Sequence, residues 1–162
     1  MPTVRETVAE MVQFVFPQYA GAPDQIYGGR MMEWIATAGT LAASRLARGP
    51  VAIGAMDDLD FLHPVRVGQI AILRARVEWV GRSSLEVGVL VVSEDPRSGA
   101  RARCCDAFVT MVSLDADGRP QPVPPLAIRT AEERRRRREA ERRRRIRLLA
   151  RARDERRARG AS

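Results

Sequence analysis

A single change of period in the hydrophobic pattern, at Gly49-Pro50, limits the folds that this chain can adopt. Before it, residues 30–48 repeat apolar side chains at spacings of three and four, which is the period of an amphipathic helix. After it, residues 51–112 follow the two-residue period of β-strands. One helix followed by strands that short turns connect predicts an α+β fold with an antiparallel sheet rather than alternating βαβ units.

Turn residues divide the strand-forming region into four strands. We predict them at 51–61, 69–80, 84–94 and 101–114. The second and third are joined by Gly81-Arg82-Ser83, a connection typical of a β-hairpin. Near the N-terminus, the alternating Val12, Phe14 and Phe16 predict one more short strand within residues 11–17, followed by a loop.

The composition changes sharply after Thr130. Residues 131–159 contain no Gly or Pro and consist almost entirely of Arg, Glu and Ala, which predicts a helix with Thr130 as its N-cap. The ion pairs expected along it are Glu139–Arg143 and Glu141–Arg145. Because neighbouring arginines repel one another, we expect the helix to fray beyond Leu149. The chain therefore divides into a domain, residues 1–126, and a charged helical tail, residues 127–162.

The positive charge of the chain belongs to the tail. Residues 1–130 hold 13 arginines and 14 acidic residues, whereas residues 131–162 hold 15 arginines and 6 acidic residues. Such a tail has enough charge for nucleic acid or an anionic membrane, but it lacks aromatic residues for stacking. Its apolar residues form only one small cluster. We predict a solvated or assembly-capping helix, and no nucleic-acid partner.

No export or membrane segment is evident in the sequence. Glu6 and Glu10 interrupt the apolar stretch that a signal peptide needs. No apolar run approaches the roughly 20 residues of a membrane-spanning helix. The adjacent cysteines, Cys104 and Cys105, lack the CxxC spacing of a metal or redox site. Since neighbours in a strand point to opposite faces, at most one should face the core. We predict a cytoplasmic protein with reduced thiols.

Several common active sites are absent from the sequence. No GxSxG, HExxH, P-loop or GxGxxG motif occurs, and the acidic cluster at residues 57–60 lacks the Gly and terminal Glu of a calcium loop. We therefore predict no metal and no cofactor. The single histidine, His63, precedes Pro64 at the end of a predicted strand. A catalytic base needs a partner to orient it, so we expect His63 to pack or to form a hydrogen bond.

Three stretches together resemble the acyl-CoA thioesterases of the hotdog superfamily. They are IYGGRMMEWIATAG at 26–39, DLDFLHPVRVGQI at 58–70 followed by VGRSSLEVGV at 80–89, and CCDAFVTMVSLDADGRPQPVPP at 104–125. Their order and spacing are similar to the family over residues 7–126. The resemblance implies a long central helix wrapped by a curved antiparallel sheet, with a charged C-terminal helix. It also implies a homodimer as the minimum unit, often a hexamer built as a trimer of dimers, and an acyl-CoA substrate in a tunnel at the dimer interface.

The double glycine in the first stretch fits that substrate. Gly28 and Gly29 lack side chains, so a ligand can approach the backbone closely. Unpaired N–H groups at the helix N-terminus would polarise a thioester carbonyl and stabilise its oxyanion, and we assign Gly29 to this role. The alternative is that the two glycines only form a tight turn.

Four polar residues are candidates for binding the CoA portion. They are Arg66, Arg82, Ser83 and Ser84, and the last three lie where relatives contact the pantetheine and the phosphates. An arginine binds phosphate through charge-assisted, often bidentate hydrogen bonds. The alternative is that these residues are ordinary polar groups on the surface.

The sequence departs from the family pattern at two positions. Relatives carry an Asn before the double glycine and an Asp on the first turns of the helix, where Gly21 and Ala36 stand in this chain. Neither residue can accept a proton. Thr37 shares a helix face with Glu33, and because relatives keep a Glu at that position beside their catalytic Asp, we expect Glu33 to be structural. Asp24 lies in the same loop as Gly21. We therefore predict that a displaced carboxylate, Asp24, with Thr37 nearby, replaces the lost groups.

Two functions remain open from these residues. The first is acyl-CoA thioester hydrolysis with a relocated base. The second is non-catalytic acyl-CoA binding or sensing by a protein that kept the pocket and lost the chemistry. The position of Asp24 separates them: a side chain near the double-glycine amides favours an enzyme, and one directed to solvent favours a binding protein.

Overall fold

A five-stranded antiparallel sheet around one long helix forms the core of the computed structural model, which describes residues 1–21 and 23–160. The elements are α1 (Val4–Thr7), β1 (Ala9–Phe14), a 3-10 turn (Pro17–Tyr19), α2 (Gly28–Ala47), β2 (Val51–Phe61), β3 (Ile70–Val80), β4 (Ser84–Glu94), β5 (Arg101–Ser113) and α3 (Ala131–Gly160). The strand order is β1-β3-β4-β5-β2, and every neighbouring pair is antiparallel. The predicted architecture of a central helix, an antiparallel sheet and a charged C-terminal helix is confirmed.

One face of α2 packs against the inner face of the sheet. Met31, Ile35, Ala42 and Leu46 are almost completely buried on this face. A Cβ atom at Gly39 would lie only 3.2 Å from the Met111 side chain, so small residues let the sheet approach the helix closely. Burial of large apolar side chains, each contributing about 1.5–3 kcal/mol, therefore holds the helix inside the sheet.

The predicted strand limits are confirmed to within one residue for the four strands after α2. The helix limits differ, since α2 begins at Gly28, so the double glycine forms its first turn. The N-terminal strand also differs: it ends at Phe14, and its alternating apolar residues, Val12 and Phe14, lie on the exposed face. β1 is an edge strand, and Phe14 packs on Phe16 with ring centroids 4.9 Å apart rather than on the core.

Helix α3 lies across the outer face of the sheet. Arg143 donates to the carboxylate of Glu86, on β4, over 2.6 Å and lies 3.5 Å from that of Glu78, on β3. Arg147 pairs with Asp57 on β2, and Ala140, one turn before Arg143, is fully buried. A stripe at spacings of three and four therefore anchors the helix, through ion pairs and through the buried Ala140. The prediction of a solvated helix is wrong for this stripe.

Docking also changes the ion pairs along α3. Because Arg143 binds the sheet, Glu139 pairs with Arg135 instead, over 2.7 Å, and Glu141 pairs with Arg137 over 3.0 Å. The two predicted pairs are therefore wrong. The Thr130 cap is confirmed, since its hydroxyl accepts from the Glu133 amide over 3.1 Å. The helix does not end at Leu149 but continues to Gly160. No helix in the described ranges is long and apolar enough to cross a membrane.

Candidate active site

A cavity of about 340 Å³ opens beside the N-terminus of α2. It lies between the start of the helix, the segment that follows β2 and the first residues of β5. Its walls are formed by Gln25, Ile26, Gly28, Met31, Phe61, Leu62, His63, Pro64, Val65, Cys104 and Cys105. Most of these side chains are apolar, and none of the described lining residues carries a carboxylate. The cavity suits an apolar chain with a polar group at one end.

Backbone pairing between two loops holds the helix N-terminus beside the cavity. The Ile26 amide donates to the Val65 carbonyl over 2.8 Å, and the Val67 amide donates to the Asp24 carbonyl over 2.9 Å. The loop before α2 is thereby fixed against the segment after β2. This explains why the first and second of the family-like stretches meet in space, although Ile26 and Val65 are 39 positions apart in the chain.

The first amides of α2 are available as hydrogen-bond donors. The helix has Tyr27 as its N-cap, with no side-chain cap, and its first backbone hydrogen bonds come from Arg30 and Met31 to the Tyr27 carbonyl. The amides of Gly28 and Gly29 precede these bonds and therefore have no intrahelical acceptor. A side chain at Gly28 would meet nothing within 4 Å, whereas one at Gly29 would collide with the Tyr27 ring. A ligand can thus approach the backbone at Gly28.

A β-bulge places both cysteines in the cavity wall. Val91 pairs with Cys105 and Val92 pairs with Arg103, so Cys104 is the extra residue of β5. Both cysteines are free and buried, and the prediction that at most one would face the core is wrong because a bulge interrupts the alternation. The signal was present in the sequence as two consecutive apolar residues within an alternating strand.

The two thiols are not poised as nucleophiles. Burial is the main cause that raises the pKa of the Cys105 thiol to about 12, and the negative charge of Asp106 adds to it. The Cys104 thiol donates a hydrogen bond to the Ala102 carbonyl over 3.4 Å. A reactive cysteine needs a thiolate, so both serve as apolar wall residues.

His63 lies at the mouth of the cavity and has a defined partner. Its Nδ1 atom is 3.1 Å from the carbonyl oxygen of Arg103 on β5. The His63 amide also lies within 3.4 Å of the Cys104 carbonyl, next to the bulge. The expected hydrogen bond of this residue is confirmed, and the strand that supplies it could not be read from the sequence.

The predicted catalytic side chains lie outside the cavity wall. Asp24 is exposed, with a left-handed backbone at φ 53°, and no side-chain hydrogen bond of it occurs among the described residues. The Thr37 hydroxyl donates to the Glu33 carbonyl over 2.8 Å, and the Glu33 carboxylate binds Arg30 over 2.7 Å. Ala36 is half-buried on α2. The structure of one chain therefore does not bring Asp24 and Thr37 to the Gly28 amide.

The predicted CoA-binding residues fall into two places. Arg66 pairs with Gln25 in an isolated β-bridge and lies beside the loop before α2. Arg82, Ser83 and Ser84 form the β3–β4 hairpin at the other end of the sheet, about 30 Å away along an 11-residue strand. Within one chain these two groups do not share a site. Among the described residues, no three His, Cys, Asp or Glu side chains form a cluster that could hold a metal ion.

Comparisons with known proteins agree on one family. The model of the thioesterase superfamily matches residues 25–100. The chain is 36% identical over 119 residues to the uncharacterized acyl-CoA thioester hydrolase YkhA of Bacillus subtilis (strain 168), a match that covers 74% of this chain and 69% of YkhA.

Solved structures extend the likeness to the whole fold. A hexameric acyl-CoA thioesterase is 31% identical with a TM-score of 0.89, over 93% of this chain and 96% of that one. An acyl-CoA hydrolase from Staphylococcus aureus, solved with butyryl-CoA and CoA, is 27% identical with a TM-score of 0.87, over 95% and 94%. The same S. aureus protein has been solved with alanine in place of an asparagine and, separately, of an aspartate fifteen positions later.

Proposed function

The chain belongs to the thioesterase superfamily, and from that premise we propose that it hydrolyses acyl-CoA thioesters in the cavity beside the N-terminus of α2. The observation that carries this proposal is that Gly28, the first residue of α2, lines an apolar cavity of about 340 Å³, while the amides of Gly28 and Gly29 have no acceptor within the helix. The thioester carbonyl points at the amides, and the acyl chain lies against the apolar wall.

The helix N-terminus supplies electrostatic catalysis without a side chain. When water attacks the carbonyl carbon, negative charge develops on the oxygen, and the amides and the helix dipole stabilise it. The intermediate then expels the CoA thiolate and leaves the free acid. One such donor contributes about 10²–10³ in rate, so the two glycine amides account for a substantial part of the reaction.

The CoA portion requires more than one copy of the chain. Arg82, Ser83 and Ser84 follow the far end of β3, which is about 30 Å long and begins beside the loop before α2, so we infer that they reach a substrate bound at Gly28 from another copy. A homodimer as the minimum unit, assembled into a hexamer, supplies that second copy. The hexameric relative supports this arrangement, and the CoA complex of the S. aureus relative supports the ligand. Arg66 is a cation beside the loop within the same chain, where it pairs with Gln25.

A non-catalytic role is the second candidate, and the positions of Gly21 and Ala36 favour it. These residues are fifteen positions apart, as are the asparagine and the aspartate replaced in the S. aureus variants. The exposed Asp24, the predicted substitute, does not line the cavity. If no other side chain replaces these two groups as proton acceptor, the chain would bind acyl-CoA without hydrolysing it.

The test is thiol release from acyl-CoAs of short to long chain, with two variants of one residue. Gly28→Pro removes the amide hydrogen at the first helical position, where proline is tolerated and where the extended Tyr27 (ψ 130°) suits a following proline. Gly28→Ala keeps the amide, and its side chain has open space.

We expect the wild type to turn over, Gly28→Pro to lose about 10²-fold in kcat/KM, and Gly28→Ala to stay within a few-fold. Acyl-CoA binding by calorimetry without any turnover would replace the hydrolase proposal with the binding role. Neither turnover nor binding would overturn both.

A further inference from the structure

Among the described residues of the cavity wall, one side chain is a Brønsted base, and it is the imidazole of His63. The other described lining residues are apolar, apart from the neutral amide of Gln25 and the two thiols. Cys105 keeps its proton because burial raises the pKa of its thiol, and the Cys104 thiol is a hydrogen-bond donor. Hydrolysis in this cavity needs a group that takes a proton from water, and in the described part of the wall that group is the imidazole.

The structure orients this imidazole with a defined tautomer. A backbone carbonyl only accepts hydrogen bonds, so the 3.1 Å contact between His63 Nδ1 and the Arg103 oxygen places the ring proton on Nδ1. The lone pair then resides on Nε2, which is the atom that a general base uses. A carbonyl in this position serves as the orienting partner that catalysis by histidine requires.

The β-bulge fixes the position of that partner. The Leu62 amide donates to the Cys104 carbonyl over 2.8 Å, which ties the segment carrying His63 to the bulged strand β5. The charged residues within three positions of His63 or of Arg103 in the chain are Asp60, Arg66, Arg101, Arg103 itself and Asp106. The side chains of Arg103 and Asp106 bind each other over 2.5 Å and line a different cavity together with Glu78 and Arg136, so only the Arg103 backbone carbonyl contacts the ring.

We propose that His63 is the general base of this enzyme, which rests on the proposed thioester hydrolysis. Nε2 takes one proton from a water molecule while the water oxygen bonds to the thioester carbon, whose carbonyl oxygen the helix amides bind. The tetrahedral intermediate then breaks its C–S bond. The departing CoA sulfur takes the proton from the imidazolium, and the products are the free acid and CoA thiol. The base thus lies in the segment after β2, whereas Gly21 lies in the loop before α2 and Ala36 lies on α2.

The experiment compares His63→Gln with Asp24→Asn in the full-length protein. Glutamine retains hydrogen-bonding groups but cannot act as a base, and asparagine removes the rival carboxylate. Initial rates with the best acyl-CoA substrate are measured from about pH 5 to about pH 9, because a histidine base fails in mildly acidic solution while a carboxylate base works at lower pH. A third variant, His63→Ala, is assayed with and without added free imidazole.

We expect His63→Gln to lower kcat by about 10²–10⁴ with KM changed only a few-fold, and to abolish the loss of rate in mild acid. Imidazole should restore part of the turnover of His63→Ala, a result that a purely structural histidine would not give. Asp24→Asn should keep both the rate and the pH profile.

An active wild type with unchanged His63→Gln kinetics, or collapse of Asp24→Asn instead, would overturn the assignment of His63 and leave the hydrolase proposal standing. A wild type without turnover on any acyl-CoA would overturn both.

Discussion

The two faces of the sheet hold their helices by different physics. The inner face packs apolar side chains of all five strands around α2, with Ile35 completely buried at the centre. The outer face presents the carboxylates of Asp57, Glu78 and Glu86, and α3 covers them with Arg143 and Arg147. Apolar burial is favourable at every pH and salt concentration, whereas docking by ion pairs depends on the charge state and on screening.

The outer interface is costly to assemble. Glu86 is 1% exposed, and its Oε2 atom has no hydrogen-bond partner in the described part of the chain. Removing a charge from water costs several kcal/mol, and the attraction to an arginine recovers that cost only when the geometry is good. Arg143 has such a geometry, because it contacts two carboxylates and stacks 3.4 Å from the centre of the Phe108 ring. The inner face should therefore dominate the stability, and the outer face should control its dependence on conditions.

The largest expected effect is on the inner face. Ile35→Ala leaves a cavity at the centre of the α2–sheet contact and should lower the free energy of unfolding by about 4 kcal/mol. Leu41→Ala is the matched control on the same helix. Leu41 is 45% exposed, so this variant should change the free energy of unfolding by less than about 1 kcal/mol. Urea unfolding measures both, and equal losses would contradict the contrast between the faces of α2.

Next comes the buried charge of the outer face. Arg143→Ala removes the donor of Glu86 and should cost about 3 kcal/mol at neutral pH, because a buried carboxylate loses its partner. Adding Glu86→Gln should recover a good part of that loss, since the orphaned charge is gone. Arg145→Ala, at an exposed position of the same helix, provides the comparison in the same unfolding assay. A double variant no more stable than Arg143→Ala would show that the ion pair is not the source of the loss.

The third expected effect is a pH dependence of stability that comes from the outer face and not from the inner face. Burial raises the pKa of both Glu78 and Glu86 above the ordinary value of 4.5, despite the opposing effect of the nearby arginines. The native state then holds protons that the unfolded chain has lost, so the contribution of these groups to stability rises as the pH falls from the raised values toward 4.5.

Melting temperatures across that window should follow this slope in the wild type and in Ile35→Ala. The slope should flatten in a Glu78→Gln/Glu86→Gln variant. A variant with the wild-type slope would assign the pH dependence to other groups.

The smallest expected effect is on the outward side of α3. Arg135 and Glu139 pair over 2.7 Å, but their side chains are 56% and 47% exposed. Such pairs contribute a few tenths of a kcal/mol, so Arg135→Ala should barely change the unfolding curve. A loss as large as that of Arg143→Ala would mean that the two sides of α3 do not differ.

The sequence predicted what local patterns determine. Strand limits followed from alternation and from turn residues such as Gly81, and the cap of α3 followed from Thr130. The start of α2 was displaced because glycine has the poorest helix propensity after proline, and Gly28 and Gly29 are helical only in the folded context.

Contacts between residues far apart in the chain could not be predicted from local sequence patterns. Arg143 and Glu86 are 57 positions apart, and His63 and the Arg103 carbonyl are 40 apart. Helix α3 carries arginine on every side, so no periodicity identified the stripe that would dock. Arg66 and Arg82 are both exposed, and their separation along the sheet appeared only in three dimensions, so their role in binding CoA stays a prediction.

The labelling rate of the two adjacent cysteines measures local opening of the sheet. A thiol-modifying dye reacts only with exposed thiolates, so its rate of labelling at Cys104 and Cys105 counts how often this end of the sheet opens. The bulge joins both residues to the cavity wall, and any molecule resident there should slow labelling in proportion to its occupancy. Since both thiols are buried in the native state, a colorimetric thiol assay registers released coenzyme at once and the protein thiols only as fast as this end of the sheet opens.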